Sequence, residues 1–245
     1  LDPFCGTGTV MLEANISGRS AIGADANPLA VLIAQVKTTH IPSEKLQRTL
    51  SSVLVRTQRS KAEAIGNTES IQRWFSSSTI TQLTRLEESI DKIKSREQRR
   101  FFQLCFSNLI KKVSFADPSI SVPVRLNPER FTKNPERKKA VEFKLQTLQC
   151  IDVYDKFADI CKLNIRRIES LRPIKEIGVV TEIVSNDARR ITETYGGCKV
   201  RANESVDLIL TSPPYAGAQK YIRSSWLNLY WLGKKLPEDI RMLNN

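Results

Sequence analysis

The chain has 245 residues, of which 40% are hydrophobic and 26% charged, which suits one large domain or a core carrying an insertion. No stretch approaches the roughly 18 consecutive apolar residues of a membrane span, and no basic start with an apolar middle marks a signal peptide. A formal charge of +12 favours a polyanionic partner, either nucleic acid or an anionic membrane surface. The five cysteines (Cys5, Cys105, Cys150, Cys161, Cys198) are odd in number and lack zinc-site spacing, so the expectation is reduced thiols, no disulfide framework and no metal.

The first residues already lie inside a pattern. Leu1-Asp2 reads as the end of a buried strand and Pro3 to Thr9 as the turn that follows, so the chain is expected to be a fragment, binding cofactor poorly and turning over little by itself. Gly8 to Ser17 suits a helix through Val10, Met11, Ala14 and Ile16, with Gly18 as its stop. Ser20 to Ala24 reads as a short strand. Asn27-Pro28 then gives a helix start, Asn27 as cap and Pro28 in the first turn, before the apolar run Leu29 to Val36. Strand, helix, strand, helix predicts a parallel α/β sheet.

After His40, the only histidine and expected at the surface, apolar residues recur at helical spacing. Leu46, Leu50, Val53 and Leu54 mark one helix, Ile80, Leu83, Leu86, Ile90 and Ile93 a second, and Phe102, Phe106, Leu109 and Val113 a third. A long fourth is expected through Val141, Leu145, Leu148, Ile151, Cys161, Ile165 and Ile168. Between the last two lies a proline-bearing loop, Asp117 to Pro135, where Asn-Pro-Glu-Arg occurs at 127–130 and again at 134–137, a repetition consistent with chance. Strand character returns at Ile177 to Val184 and at Val206 to Leu210. Residues 41–175 hold 27 basic and 15 acidic side chains, while the other 110 residues carry 11 of each, so the whole excess charge lies in this middle segment. The expected organisation is an α/β core in two parts, 1–40 and 176–245, interrupted by a basic helical insertion at 41–175.

Three segments carry chemistry. Asp2-Pro3-Phe4-Cys5-Gly6-Thr7-Gly8-Thr9 sits in a strand-to-helix turn, where Gly6 and Gly8 allow a tight turn and close ligand approach and the helix N-terminus favours an anionic group. Equally, a glycine pair can simply close such a turn. Asp25, about 20 residues on and just after the second strand, stands where an acidic side chain can accept from ribose hydroxyls. In Thr211-Ser212-Pro213-Pro214-Tyr215, two prolines remove backbone donors and leave carbonyls free to accept from an amino group, and Tyr215 offers a flat face for stacking.

Together these segments resemble the amino-methyltransferases of DNA, whose first motif is Asp-Pro-Phe-x-Gly-x-Gly-Thr and whose catalytic motif is Asp/Asn/Ser-Pro-Pro-Tyr. The resemblance implies an α/β Rossmann-like methyltransferase sheet, here incomplete and interrupted by a large helical insertion, with S-adenosyl-L-methionine as methyl donor. It implies that Asp2, Pro3, Phe4, Gly6, Gly8 and Thr9 face the methionine part of the cofactor and that Asp25 holds its ribose. Asn186-Asp187 would lie beside the adenine, though an Asn-Asp after a strand also fits a plain turn. Ser212, Pro213, Pro214 and Tyr215 would form the catalytic loop, acting on a base flipped from double-stranded DNA. Cytosine C5-methyltransferases use a Pro-Cys nucleophile that this chain lacks, so Cys5 has no such role.

The serine form of the catalytic motif points to N4 of cytosine ahead of N6 of adenine, in a cytoplasmic, nucleoid-associated enzyme of restriction-modification type. The insertion would be the target-recognition region, with Arg125, Arg130, Lys133, Arg137, Lys138 and Lys139 on phosphates, or else a solvated loop, and with Lys220 beside the active site. Arg96, Arg99 and Arg100 read as one polar helix face. Trp226, Leu229, Tyr230, Trp231 and Leu232 read as a helix packed on the sheet. Two other readings share these features: a transfer-RNA guanine-N2 methyltransferase, and a nucleic-acid-binding remnant that has lost catalysis.

Overall fold

The sharp turn after Asp2 sends the chain into a short helix and back along the same edge, so a parallel arrangement begins within the first 24 residues. The architecture is that of a computed structural model, which describes residues 1–63, 69–171, 179–185, 188, 206–213 and 220–233. Helix α1 (Thr9–Ile16) leads to strand β1 (Ala21–Ala24). Helix α2 (Pro28–Thr38) follows, its start fixed by the Asn27 side chain, which accepts from the Leu29 amide, and by Pro28 in the first turn.

Strand β1 pairs in parallel with β2 (Thr181–Ser185), in the register Ala21 to Thr181, Ile22 to Glu182 and Gly23 to Ile183, with an irregularity before Ala24. On the other side of β1, the Asp2 amide donates to the Ile22 carbonyl at 2.8 Å and the Ala24 amide to the Asp2 carbonyl at 3.0 Å. Beyond Asp2, the Leu1 amino group donates to the Leu208 carbonyl at 2.8 Å and the Leu210 amide to the Leu1 carbonyl at 3.0 Å. The spatial order is therefore 208–210, 1–2, β1, β2, with two chain segments from the start flanked by two from the end. Among the described residues, the expected strand at Val206 to Leu210 is seen as an extended segment held by those two hydrogen bonds with Leu1. Leu208, Ile209 and Leu210 remain 60, 61 and 55% exposed.

The middle of the chain is helical: α3 (Ser43–Arg59), α4 (Glu69–Gln72), α5 (Ser77–Asp91), α6 (Arg96–Val113), a 3-10 turn η1 (Pro128–Phe131), α7 (Pro135–Gln149) and α8 (Val153–Ser170). The long fourth helix of the sequence reading is two. Asp152 intervenes, its carboxylate accepting from the amides of Tyr154 and Asp155, so it caps α8 at the expense of continuity with α7. The two Asn-Pro-Glu-Arg segments do the same local work. Asn127 accepts from the Glu129 amide to start η1 and Asn134 from the Arg137 amide to start α7, each followed by a proline in the first turn.

One hydrophobic core joins α2 to α3, α4, α5, α6 and α8 of the middle segment. Leu32 and Val36 pack with Leu46, Leu50, Leu83, Phe101, Phe102, Phe106, Phe157 and Ile165, and each fully buried phenylalanine contributes about 2–3 kcal/mol. Leu227 and Trp231 of the last helix, α9 (Lys220–Trp231), belong to the same core. That helix packs chiefly on α6 and α2, not on the sheet as its aromatics suggested. The reason is aromatic complementarity: Trp231 meets Phe75 and Phe106 edge-on, and the Asn228 amide donates to the Ser107 carbonyl and hydroxyl at 2.7 and 2.8 Å. Cys105 and Cys161, 56 positions apart in sequence, meet fully buried between α6 and α8, and burial holds the Cys161 thiol well above its ordinary range. His40 is exposed. Of the three arginines read as one polar face, Arg99 instead donates to the Ile93 carbonyl at 2.9 Å, bracing the turn between α5 and α6.

Beside the end of α9, Glu87 lines a cleft with Asp91, Gln103, Phe106 and Trp231. Burial, with a smaller contribution from the charge of Asp91, pushes the Glu87 carboxyl up from 4.5 to about 7. Folding therefore favours its protonated form. This contribution to stability is fully present below pH 4.5 and is lost as pH rises through about 7. Denaturant unfolding at stepped pH should show this fall, and Glu87→Gln should flatten it; an unchanged slope in the variant would refute the assignment. Among the described residues no helix is long and apolar enough to cross a membrane, and no group of His, Cys, Asp and Glu is arranged to hold a metal.

Candidate functional site

Asp2 is the hinge of the site. It is only 3% exposed, and its Oδ1 accepts from the Phe4 amide at 3.1 Å and from the Thr211 hydroxyl at 2.7 Å. The first bond fixes the turn that leaves the strand end. The second crosses 209 positions of sequence to the residue preceding Ser212. The glycine turn and the Thr211-Ser212-Pro213 segment thus lie side by side, past the ends of neighbouring extended segments. In open α/β sheets this is where a crevice forms and ligands bind. Thr211, to which its sequence context assigns no role, makes this connection; its one sequence signal is its place directly before Ser212-Pro213-Pro214-Tyr215.

The two glycines of the turn have different reasons to be glycine. Both adopt positive φ, 50° at Gly6 and 76° at Gly8. A Cβ on Gly8 would stand 2.7 Å from the Ala34 Cβ and 2.9 Å from the Ala34 Cα, so Gly8 lets α1 pack tightly on α2. A Cβ on Gly6 would meet nothing within 4 Å, which leaves the backbone there open to a ligand. Gly8 caps α1 without a side-chain hydrogen bond, and the first turn of α1 holds no acidic residue. The amides at this helix start accordingly remain suited to a carboxylate. Thr7 is also approached by Lys37 of α2, whose Nζ donates to its hydroxyl at 3.4 Å.

Asp25 follows β1 and its two carboxylate oxygens accept from the Gly6 amide and the Asn27 amide, both at 2.8 Å. It thus braces the glycine turn while each oxygen retains a further acceptor position. Cys5 is 5% exposed, and burial together with the nearby charges of Asp25 and Asp2 pushes its thiol up to about 12. It stays protonated and is no nucleophile. Pro3 is half-buried, Phe4 and Thr9 are exposed, and Ser212 and Pro213 are exposed. Asn186, Asp187, Pro214 and Tyr215, and the side chain of Lys220, lie outside the described residues.

The six cations singled out in the middle segment divide by partner. Arg125 lies over the Phe115 ring at 5.5 Å and Arg137 over the Phe131 ring at 4.6 Å, while Lys138 pairs with Glu129 at 2.8 Å. Arg130, Lys133 and Lys139 are exposed, and among the described residues none of their side chains has an ion-pair partner. A line of contacts runs from α9 towards this region: Trp226 meets Trp74 edge-on at 5.4 Å, the Trp74 carbonyl accepts from the Phe115 amide at 2.8 Å, and Phe115 carries Arg125.

Comparison with known proteins adds three findings. Residues 1–96 match the family described as RMKL-like, methyltransferase domain, which carries the implication of a Rossmann-like fold. The chain is 23% identical over 258 aligned positions, 98% of its own length, to the type II methyltransferase M.MvaI of Kocuria varians, and covers 52% of that protein. It is 25% identical over 121 positions, 49% of its length, to the type II methyltransferase M.MjaII of Methanocaldococcus jannaschii, covering 20% of it. The chain therefore spans about half the length, or less, of these curated relatives. No solved structure matches.

Proposed function

We propose that this chain, a relative of the DNA methyltransferases, transfers a methyl group from S-adenosyl-L-methionine to an exocyclic amino group of a DNA base, N4 of cytosine ahead of N6 of adenine. The observation that carries the reading is the Thr211 to Asp2 hydrogen bond, which joins the catalytic segment to the glycine turn. The open backbone at Gly6 and the uncapped start of α1 fit the cofactor's methionine part, and Asp25 has acceptor positions left for its ribose. When bound, the cofactor supplies an electrophilic methyl on its sulfonium. Asn186 and Asp187 are assigned to its adenine by motif.

The chain's own task is to prepare the amino nitrogen. The Pro213 carbonyl and the Ser212 hydroxyl accept its hydrogens, drawing the lone pair out of conjugation with the ring. Tyr215 stacks on the flipped base and Pro214 holds the loop's direction. Alignment of amino nitrogen and methyl supplies much of the acceleration, since two bound reactants then meet as one. The extra proton leaves the nitrogen for water. The middle segment, 41–175, is the target-recognition part in this reading, its cations on phosphates making affinity salt-sensitive.

The test is mass spectrometry of nucleosides after full-length protein has acted on a mixed-sequence duplex with labelled cofactor. N4-methylcytosine is expected. N6-methyladenine would overturn the base assignment, and label in RNA alone would overturn the substrate class.

A further inference from the structure

Helix α7 is attached along one side only. Leu148 is its one buried residue, and with half-buried Val141 and Leu145 it packs on Phe115 and Leu126 in a cluster separate from the main core. The opposite side carries Phe143, 72% exposed, more than any other large hydrophobic among the described residues. Lys139 precedes Phe143 by four positions, one helical turn away on the same face. Exposed Arg130 of η1 and exposed Lys133, between η1 and α7, precede the helix.

The charges around Phe143 decide what such a face suits. Residues 125–144 hold seven basic and three acidic side chains. Arg125, Arg137 and Lys138 are engaged with Phe115, Phe131 and Glu129 and hold the loop and helix together. Of the other four cations, Lys139 lies one helical turn before the exposed ring, Lys144 directly follows it in sequence, and Arg130 and Lys133 precede the helix; they outnumber the two remaining carboxylates, Glu136 and Glu142. A second copy of this face would bring like charges together in any two-fold contact, whereas a polyanion would neutralise them. An α-helix anchored along one stripe also has the width that the major groove of duplex DNA admits.

We propose that the outer face of α7 docks on duplex DNA, with the Phe143 ring against sugars and base edges and with Lys139, Arg130 and Lys133 on phosphates. The assignment rests on the DNA methyltransferase reading and adds to it the docking element and its apolar anchor. Phe143 acts here in binding and positioning.

Fluorescence anisotropy with a labelled duplex, over a range of salt concentrations, tests this in the full-length protein. Phe143→Ala is expected to weaken binding about tenfold, a loss of the size seen for single specific contacts. Phe143→Trp should retain affinity, and Lys139→Ala should lower the slope of log affinity against log salt by about 1. Helical circular dichroism and calorimetric binding of S-adenosyl-L-methionine should match the parent in all three. Unchanged duplex affinity in both alanine variants of a protein that methylates DNA would overturn the docking face and leave the function standing. A Phe143→Ala effect on sedimentation instead of DNA affinity would assign the face to self-association and overturn it too. A parent protein that neither binds nor methylates DNA would remove the reading beneath it.

Discussion

Replacing Asp2 by alanine is expected to cut methyl transfer at least a hundredfold and to lower stability by about 2–3 kcal/mol, the range for losing buried hydrogen bonds to a charged group. Asp2 is 3% exposed and serves two donors at once, the Phe4 amide that shapes the glycine turn and the Thr211 hydroxyl that holds the proposed catalytic segment. Alanine leaves the turn without its brace and lets Ser212-Pro213 drift from it, and misplacement by about 1 Å can cost a hundredfold in rate. Thr211→Val separates the two effects because it removes one bond and leaves the turn intact. It should lose less stability than Asp2→Ala, while still slowing transfer. Steady-state kinetics on both substrates, alongside denaturant unfolding, checks this. If folded Asp2→Ala protein kept the parent's kcat and KM, the hydrogen bond would be structural only.

The second large effect separates two glycines that the sequence shows as a pair. Gly8→Ala places a methyl 2.7 Å from the Ala34 Cβ and 2.9 Å from its Cα at a φ of 76°. The left-handed backbone costs about 1–2 kcal/mol and overpacking about 1–3 kcal/mol. A total near 3 kcal/mol corresponds to a fall in Tm of about 6–12 °C for a domain of this size. Gly6→Ala carries only the backbone cost, since nothing lies within 4 Å of the added methyl. It should lose about half as much Tm but at least tenfold in cofactor affinity, because the methyl fills the space that the proposed ligand needs. Calorimetric titration with S-adenosyl-L-methionine and thermal melts of both variants decide it. Parent-like cofactor binding by Gly6→Ala would remove the glycine turn from the proposed site.

Much of the local structure could be read in advance, for a physical reason. Caps and helix starts are local chemistry: Asn27-Pro28 began α2, and the stripes of α3, α5 and α6 pointed to the residues that are buried. Where a polar side chain competes with periodicity, the reading failed. An unbroken apolar rhythm ran through Asp152, yet its carboxylate caps a new helix. The repeated Asn-Pro-Glu-Arg looked like chance and is a helix-start signal used twice. The aromatics of α9 announced a buried helix without naming the surface that buries them, because hydrophobicity has no direction.

The glycine turn, the Ser-Pro-Pro-Tyr segment and the confinement of excess charge to residues 41–175 are legible without coordinates, since each is a matter of residue type and short-range spacing. Only the tertiary structure decided that Asp2 reaches Thr211, that Gly8 packs on α2 while Gly6 faces open space, and which cations are already engaged. Those are contacts between segments distant along the chain. They are settled when the parallel segments pair and the helices close on one core, and no local pattern encodes which partner each side chain then meets.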